Sequence, residues 1–248
     1  MENVNNSFFE GLYKDIWRAT VPEQVTVKEV NFFKDYFSLK PQAKILDMMC
    51  GYGRHSLALA REGFLVTAID NLPAYISEIS EVAAKDGLPI KPLTGDLLET
   101  DFDEKFDLAI CMGNSLNFFP EHDVLCILKK VSENLSVGGS LVINTWSLTE
   151  IVAKGVPEKQ WSRFDDLILL SDSRYLFQPT RIETTTTILK NMEVVEVKEA
   201  IDYVFSVAEF ITLLEKSNLK FRINFGIPGR TEFKLGDPRA YLVAEKLA

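Results

Sequence analysis

The residues best able to do chemistry stand in two short runs, Ile45-Leu-Asp-Met-Met-Cys-Gly-Tyr-Gly-Arg-His-Ser56 and Leu65-Val-Thr-Ala-Ile-Asp70. In the first, an apolar strand leads into Asp47 and then into Gly51-x-Gly53, after which a helix opens. In the second, another strand ends on Asp70, 19 residues beyond Gly51. A glycine turn of this kind lets backbone approach a nucleoside-containing ligand, and the later acid accepts protons from ribose hydroxyls. Spacing alone would admit a dinucleotide, but two residues argue against one. Ser56 stands where the dinucleotide fingerprint has a third Gly or Ala for close packing. Asp47 puts a carboxylate beside the turn where a pyrophosphate would lie, and like charges repel in a partly desolvated pocket. A ligand carrying an ammonium or sulfonium group would be attracted instead.

These groups need a scaffold that brings two strand ends together. The chain has 248 residues, 46% hydrophobic and 25% charged, which predicts a soluble globular protein of one α/β domain spanning 1–248. Strand and helix alternate: strand 43–48, helix 54–62, strand 64–69, helix 73–85, strands near 90–94 and 106–112, helix 121–135 and strand 140–146, with Gly138-Gly139 as a turn. This rhythm predicts a parallel sheet covered by helices on both faces. Upstream, 7–18 and 26–38 read as helices, the second turning Val27, Val30, Phe33 and Phe37 one way. Between about 155 and 205 the pattern changes to period two with many β-branched residues, predicting an inserted antiparallel β layer with Lys190-Asn191 in one turn. Ser206-Val-Ala-Glu209 has the form of a capping box opening a helix to about Ser217. Strands 219–225 and 240–246 finish the chain.

The net charge of −9, with no Lys/Arg cluster to offset it, argues against nucleic acid as a partner. The start of the chain shows no signal-peptide pattern and no segment is long and apolar enough for a membrane span, so a cytoplasmic location is expected. Cys50, Cys111 and Cys126 are too few and too scattered for a disulfide framework or a metal site, and buried reduced thiols are expected.

S-adenosylmethionine carries both an ammonium and a sulfonium, together with a ribose, and suits the two acids. Leu46-Asp47-Met48-Met49-Cys50-Gly51-Tyr52-Gly53-Arg54-His55-Ser56, Asp70, Gly95-Asp96-Leu97, Cys111-Met-Gly-Asn-Ser115 and Tyr241-Leu-Val-Ala-Glu-Lys246 together resemble the class I S-adenosylmethionine-dependent methyltransferases of small-molecule type. The Cys111–Ser115 stretch is similar to a "CLGNS" segment of glycine and sarcosine N-methyltransferases. Met49 departs from the small residue that many relatives have near that place.

The resemblance implies a Rossmann-like seven-stranded sheet, mostly parallel with the last strand antiparallel. It also implies methyl transfer from S-adenosylmethionine to N, O or C of a small molecule, leaving S-adenosylhomocysteine. Gly51 and Gly53, with Cys50 and Tyr52, would pass close to the methionine part, and Asp47 would act on the ammonium side. Asp70 would hold the ribose, with Asn71 and Leu72 beside the adenine. Asp96 and Leu97 would hold the adenine edge and face. Cys111 and Met112 would line the floor, with Asn114 near the transferring methyl.

The N-terminal helices, about 1–38, are expected to form a lid. Arg18 would lie near the donor carboxylate, with Arg54 as its competitor, and Tyr13 or Trp17 at the acceptor site. His55 reads first as a structural group and second as a proton acceptor. His122 reads as a surface residue. In the inserted layer, Tyr175 is an acceptor-side candidate beside Trp161, Arg163, Phe177 and Arg181. The resemblance implies that such an insertion covers the acceptor pocket or makes a homodimer contact, and simple packing onto the sheet explains each of these residues equally well. Monomer and homodimer both stay open. Two other classes remain: a binding protein that keeps the fold without catalysis, and an NAD-dependent oxidoreductase.

Overall fold

The structure is a computed structural model that describes residues 3–247. After a 3-10 turn at Val4–Ser7 come α1 (Leu12–Thr20), α2 (Glu23–Tyr36), β1 (Lys44–Met48), α3 (Arg54–Arg61), β2 (Leu65–Asp70), α4 (Pro73–Asp86), β3 (Ile90–Thr94) and β4 (Phe106–Cys111). Then follow α5 (Glu121–Asn134), β5 (Leu135–Thr145) and the single turn α6 (Thr149–Val152). The inserted strands are β6 (Lys159–Phe164), β7 (Leu167–Phe177), β8 (Thr180–Lys190) and β9 (Glu193–Tyr203). The chain ends with α7 (Val207–Glu215), β10 (Leu219–Ile227), the two-residue β11 (Thr231–Glu232) and β12 (Ala240–Lys246).

The main sheet has the order β11-β10-β12-β5-β4-β1-β2-β3. β1 pairs in parallel with β2 and β4, and β12 runs antiparallel between β5 and β10. The expected seven strands are present, and β11 adds a short edge. β6 to β9 form a separate four-stranded antiparallel sheet. Alternation within β1 explains the layers. Leu46 and Met48 pack on the side of α5 and α7, with Ile127, Leu128, Phe210 and Leu214. Ile45 faces the other side, with Phe33 of α2 and Leu59 of α3. A fully buried side chain such as Phe33 contributes roughly 1.5–3 kcal/mol. Because the order reverses at β1, the carboxyl ends of β1 and β4 splay over a crevice, where open α/β sheets bind ligands.

Several boundaries differ from the sequence expectation. The 7–18 helix starts only at Leu12, because Gly11 takes a positive φ of 65° and separates it from the 3-10 turn. Val27 lies 49% exposed, and Phe32 takes the core place beside Phe33. Asn191 and Met192, both at positive φ, make the β8–β9 turn rather than Lys190-Asn191. The capping box at Ser206 is formed, although its helix ends at Glu215. Of the expected lid, residues 1 and 2 lie outside the described residues. No described helix is long and apolar enough to cross a membrane.

Gly138-Gly139 does not end a turn. It lies inside β5, where Phe106 pairs Leu135 but Leu108 pairs Ser140, so the extra β5 residues loop out as a bulge. A Cβ on Gly139 would stand 2.8 Å from the Ser136 carbonyl and 3.0 Å from that of Phe106, both rigid backbone. Gly139→Ala is therefore expected to destabilise the fold by about 1–3 kcal/mol, read as a lower urea midpoint at unchanged slope.

Candidate active site

A cavity of about 420 Å³ opens at the carboxyl ends of β1, β2 and β4, within the usual size of small-molecule sites. The structure brings to its wall Asp47, Cys50, Gly51, Tyr52, Arg54 and His55 from the first run. Asp70, Asn71, Leu72, Asp96, Leu97, Met112 and Trp17 join them. Thus 13 of the expected residues, scattered between positions 17 and 112, converge on one space.

The turn is built around two buried acids. Asp70 Oδ2 accepts from the Gly51 N–H at 2.8 Å, and Oδ1 accepts from the Leu72 N–H at 3.0 Å. One carboxylate therefore holds the loop after β1 and the loop after β2 together. Burial raises its pKa, opposed by these two N–H bonds. Asp47 is 1% exposed and accepts from Ser56 Oγ at 2.6 Å. Burial raises its pKa too, while the charges of His55 and Arg54 and the Ser56 bond pull it down. Gly51 has a φ of 56°, and the place of its missing Cβ is empty to 4 Å. Gly53, at φ 75°, does not reach the wall; a Cβ there would meet Ile79 at 2.5 Å. Met49 adopts a φ of 50°, the left-handed conformation that is uncommon for a residue other than glycine.

The two arginines part company. Arg18 pairs with Glu78 of α4 and lies over the Tyr52 ring, 5.0 Å from its centroid, outside the cavity wall. Arg54 is on the wall, with Nη1 donating to Glu29 at 2.6 Å and to Thr26 at 3.0 Å. His55 Nε2 lies 2.9 Å from Glu29 Oε2, so the ring serves the core at 3% exposure as well as the cavity. Cys111 is wholly buried beneath the floor and Met112 alone reaches it. Burial pushes the Cys111 thiol up to about 12, and that of Cys50 well above its usual value.

Asn114, wholly buried at a φ of 68°, lies behind the wall. Its Oδ1 accepts from the N–H groups of Trp146 and Ser147 at 2.9 and 3.0 Å. Its Nδ2 donates to Ser147 Oγ at 2.9 Å and to Asp202 Oδ1 at 2.7 Å. Tyr13 packs against Phe8 and Phe9. Tyr175 sits in β7 beside Phe177, away from the cavity. His122 lies 3.5 Å from Cys126 on α5.

Sequence reasoning missed the polar N-terminal wall. Asn3, Asn5, Asn6 and Phe9 line the cavity. Asn5 Nδ2 donates to the carbonyls of Phe118 and Ile201, and its Oδ1 accepts from the Ile201 N–H. Tyr75 OH donates to the Phe9 carbonyl at 3.0 Å. Glu29 was also missed, although an acid between Thr26, Val30 and Phe33 on a core-facing stripe is itself a signal.

The comparisons with known proteins agree with this geometry. The family model described as a methyltransferase domain matches residues 45–139. YqeM of Bacillus subtilis (strain 168) is 32% identical over 143 residues, 57% of this chain and 55% of that protein. The ubiquinone biosynthesis O-methyltransferase of Rickettsia akari is 32% identical over 113 residues, 43% of this chain and 41% of its own length. The chain therefore spans about half the length of these curated relatives. A solved S-adenosylmethionine-dependent methyltransferase from Clostridium acetobutylicum superposes at a TM-score of 0.80 with 17% identity, covering 96% of this chain and 97% of that one. Its likeness establishes that the fold is the class I methyltransferase fold.

The Glu29 cluster has a consequence for stability. The carboxylate takes Arg54, His55 and the Tyr241 OH at 2.8 Å, at 1% exposure. Burial alone would raise its pKa, but His55 and Arg54 outweigh burial and hold it at about 2. The folded value lies below the unfolded one. The stabilisation is thus complete above the usual glutamate range and is lost as pH falls toward 2. Glu29→Gln is expected to cost roughly 3–5 kcal/mol at neutral pH. The gap to wild type should close on acidification, as followed by denaturant unfolding at several pH values.

Proposed function

We propose that this protein transfers a methyl group from S-adenosylmethionine to a small-molecule acceptor. The observation that carries the reading is the charge of the cavity wall around an open glycine. Asp47, Asp70, Asp96 and Asp123 line it against the single guanidinium of Arg54. The space beyond Gly51 is free of protein atoms where a side chain would otherwise stand. A cationic amino acid joined to a nucleoside fits such a wall, and a pyrophosphate does not.

In this reading the methionine part lies along Gly51, with Asp47 on its ammonium side and Arg54 at its carboxylate. Asp70 uses the lone pairs left over from Gly51 and Leu72 for the ribose hydroxyls. Leu72 and Leu97 flank the adenine, and Asp96, whose Oδ1 already accepts from the Leu98 N–H at 2.8 Å, meets its edge. When bound, the sulfonium supplies an already activated methyl group, so the chain's work is approach geometry and exclusion of water. Trp17, Phe9 and Phe118 supply an apolar wall for that purpose. The carboxylates and the absence of a basic stripe favour a small molecule over a nucleic acid as acceptor.

Two variants test this. Asp70→Ala is expected to weaken S-adenosylmethionine by roughly 1–3 kcal/mol in calorimetry, the scale of bonds to a charged group. Gly51→Leu fills the free space and is expected to abolish donor binding while circular dichroism stays native. The reaction itself is read by incubating wild type with methyl-labelled donor and a metabolite extract, then finding the labelled product by mass spectrometry. Unchanged donor affinity in both variants would remove the basis of the proposal.

A further inference from the structure

Asp202, near the end of β9, belongs to none of the groups assigned above. Its Oδ1 accepts from Asn114 Nδ2 at 2.7 Å and from Ser147 Oγ at 3.5 Å. Among the described residues its Oδ2 has no hydrogen-bond partner, and no Lys or Arg comes within ion-pair distance. This is a partly buried carboxylate with an oxygen to spare. Asp202 is not itself on the cavity wall, but two sets of contacts tether it to residues that are. Asn114 stands between Gly113 and Ser115, both on the wall. Asn5, also on the wall, holds both the N–H and the carbonyl of Ile201, the residue just before Asp202.

The Trp17 and Trp146 rings lie 6.0 Å apart, and Trp17 packs over Gly113. Tyr13, one helical turn before Trp17 on α1, lies close enough to Asp202 for the carboxylate's charge to help burial in pushing its phenol up to about 12. A carboxylate oxygen without a partner attracts a cation more strongly than a neutral alcohol.

Resting on the methyl-transfer reading above, we propose that the acceptor is a primary or secondary amine and that Asp202 binds its ammonium form and takes its proton. One N–H bond breaks and an O–H bond forms on Asp202. The freed nitrogen lone pair then forms the new N–C bond to the donor's methyl as the C–S bond breaks, its electron pair staying on sulfur. The methylated ammonium leaves with S-adenosylhomocysteine, and Asp202 returns its proton to solvent. Burial holds the Asp202 carboxyl up at about 6, so it is anionic near neutrality yet able to accept a proton.

The test needs no knowledge of the natural acceptor. It uses propylammonium and the near-isosteric 1-propanol, with S-adenosylhomocysteine saturating, in a Trp161→Phe background that removes the exposed indole. The remaining fluorescence comes from Trp17 and Trp146. Propylammonium is expected to give a saturable change at a concentration at least about tenfold below that of propanol. Asp202→Asn, which keeps an acceptor oxygen for Asn114, is expected to lose this preference, and Asp202→Glu to retain part of it. Affinity for S-adenosylhomocysteine should stay unchanged in both.

Equal responses to the two probes in wild type would overturn the proposal without recourse to any variant. A preference that survives in Asp202→Asn, or an enzymatic product carrying a new O–CH₃ bond, would also overturn it. Failure of S-adenosylhomocysteine to bind wild type would instead bring down the methyl-transfer reading, and this proposal with it.

Discussion

Everything at the crevice hangs on the Asp70 carboxylate. One oxygen takes the Gly51 N–H and the other the Leu72 N–H, so the two loops that could drift apart at the open end of a parallel sheet are joined by one side chain. The cost is a second buried acid close to Asp47. Ser56 Oγ, at 2.6 Å from Asp47, and the Arg54 and His55 charges offset that cost from the other side. Behind them Glu29 holds Arg54 and His55 in turn. The wall is therefore a chain of acids and bases running from the open cavity into the core. A substitution at Glu29 or Tyr241 is therefore expected to be felt at the turn.

The cover of the cavity is made by amides rather than by apolar packing alone. Asn5 clamps the N-terminal segment onto Phe118 and onto β9. Asn117 Nδ2 donates to the carbonyls of Ser147 and Tyr203, tying the loop after β4 to the loop after β5 and to the end of the inserted sheet. Asn114 does the same through Ser147 and Asp202. Three asparagines thus position the N-terminal wall and the inserted layer over one end of the crevice. The sheet builds one side of the crevice, and these amides hold the other side against it.

The parts of this arrangement that are local in the chain are legible in the sequence. Asp47, the glycine turn and Asp70 sit at strand ends whose apolar runs announce them, and the inserted strands announce themselves by period-two alternation. Ser56 could be read only as an argument against a dinucleotide; its role as the donor to Asp47 appears once α3 packs on β1. Gly138-Gly139 reads as a turn because glycine pairs punctuate turns and bulges alike, and only the β4 pairing distinguishes them. Partners far apart in sequence leave no local signal. Asn5 and Ile201, Asn114 and Asp202, and Glu29 and Tyr241 are separated by 196, 88 and 212 residues. The N-terminal wall and the inserted layer depend on two of those pairs, so that end of the crevice is the part least open to sequence reasoning.

The central claim is that an acid-walled glycine turn selects a cationic adenosyl donor over a pyrophosphate-bearing dinucleotide. Calorimetric titration of the wild-type protein with S-adenosylmethionine, S-adenosylhomocysteine and NAD tests it most directly. The account predicts saturable one-to-one binding of both adenosyl ligands and no saturable heat from NAD. Saturable binding of NAD with no response to either adenosyl ligand would contradict it.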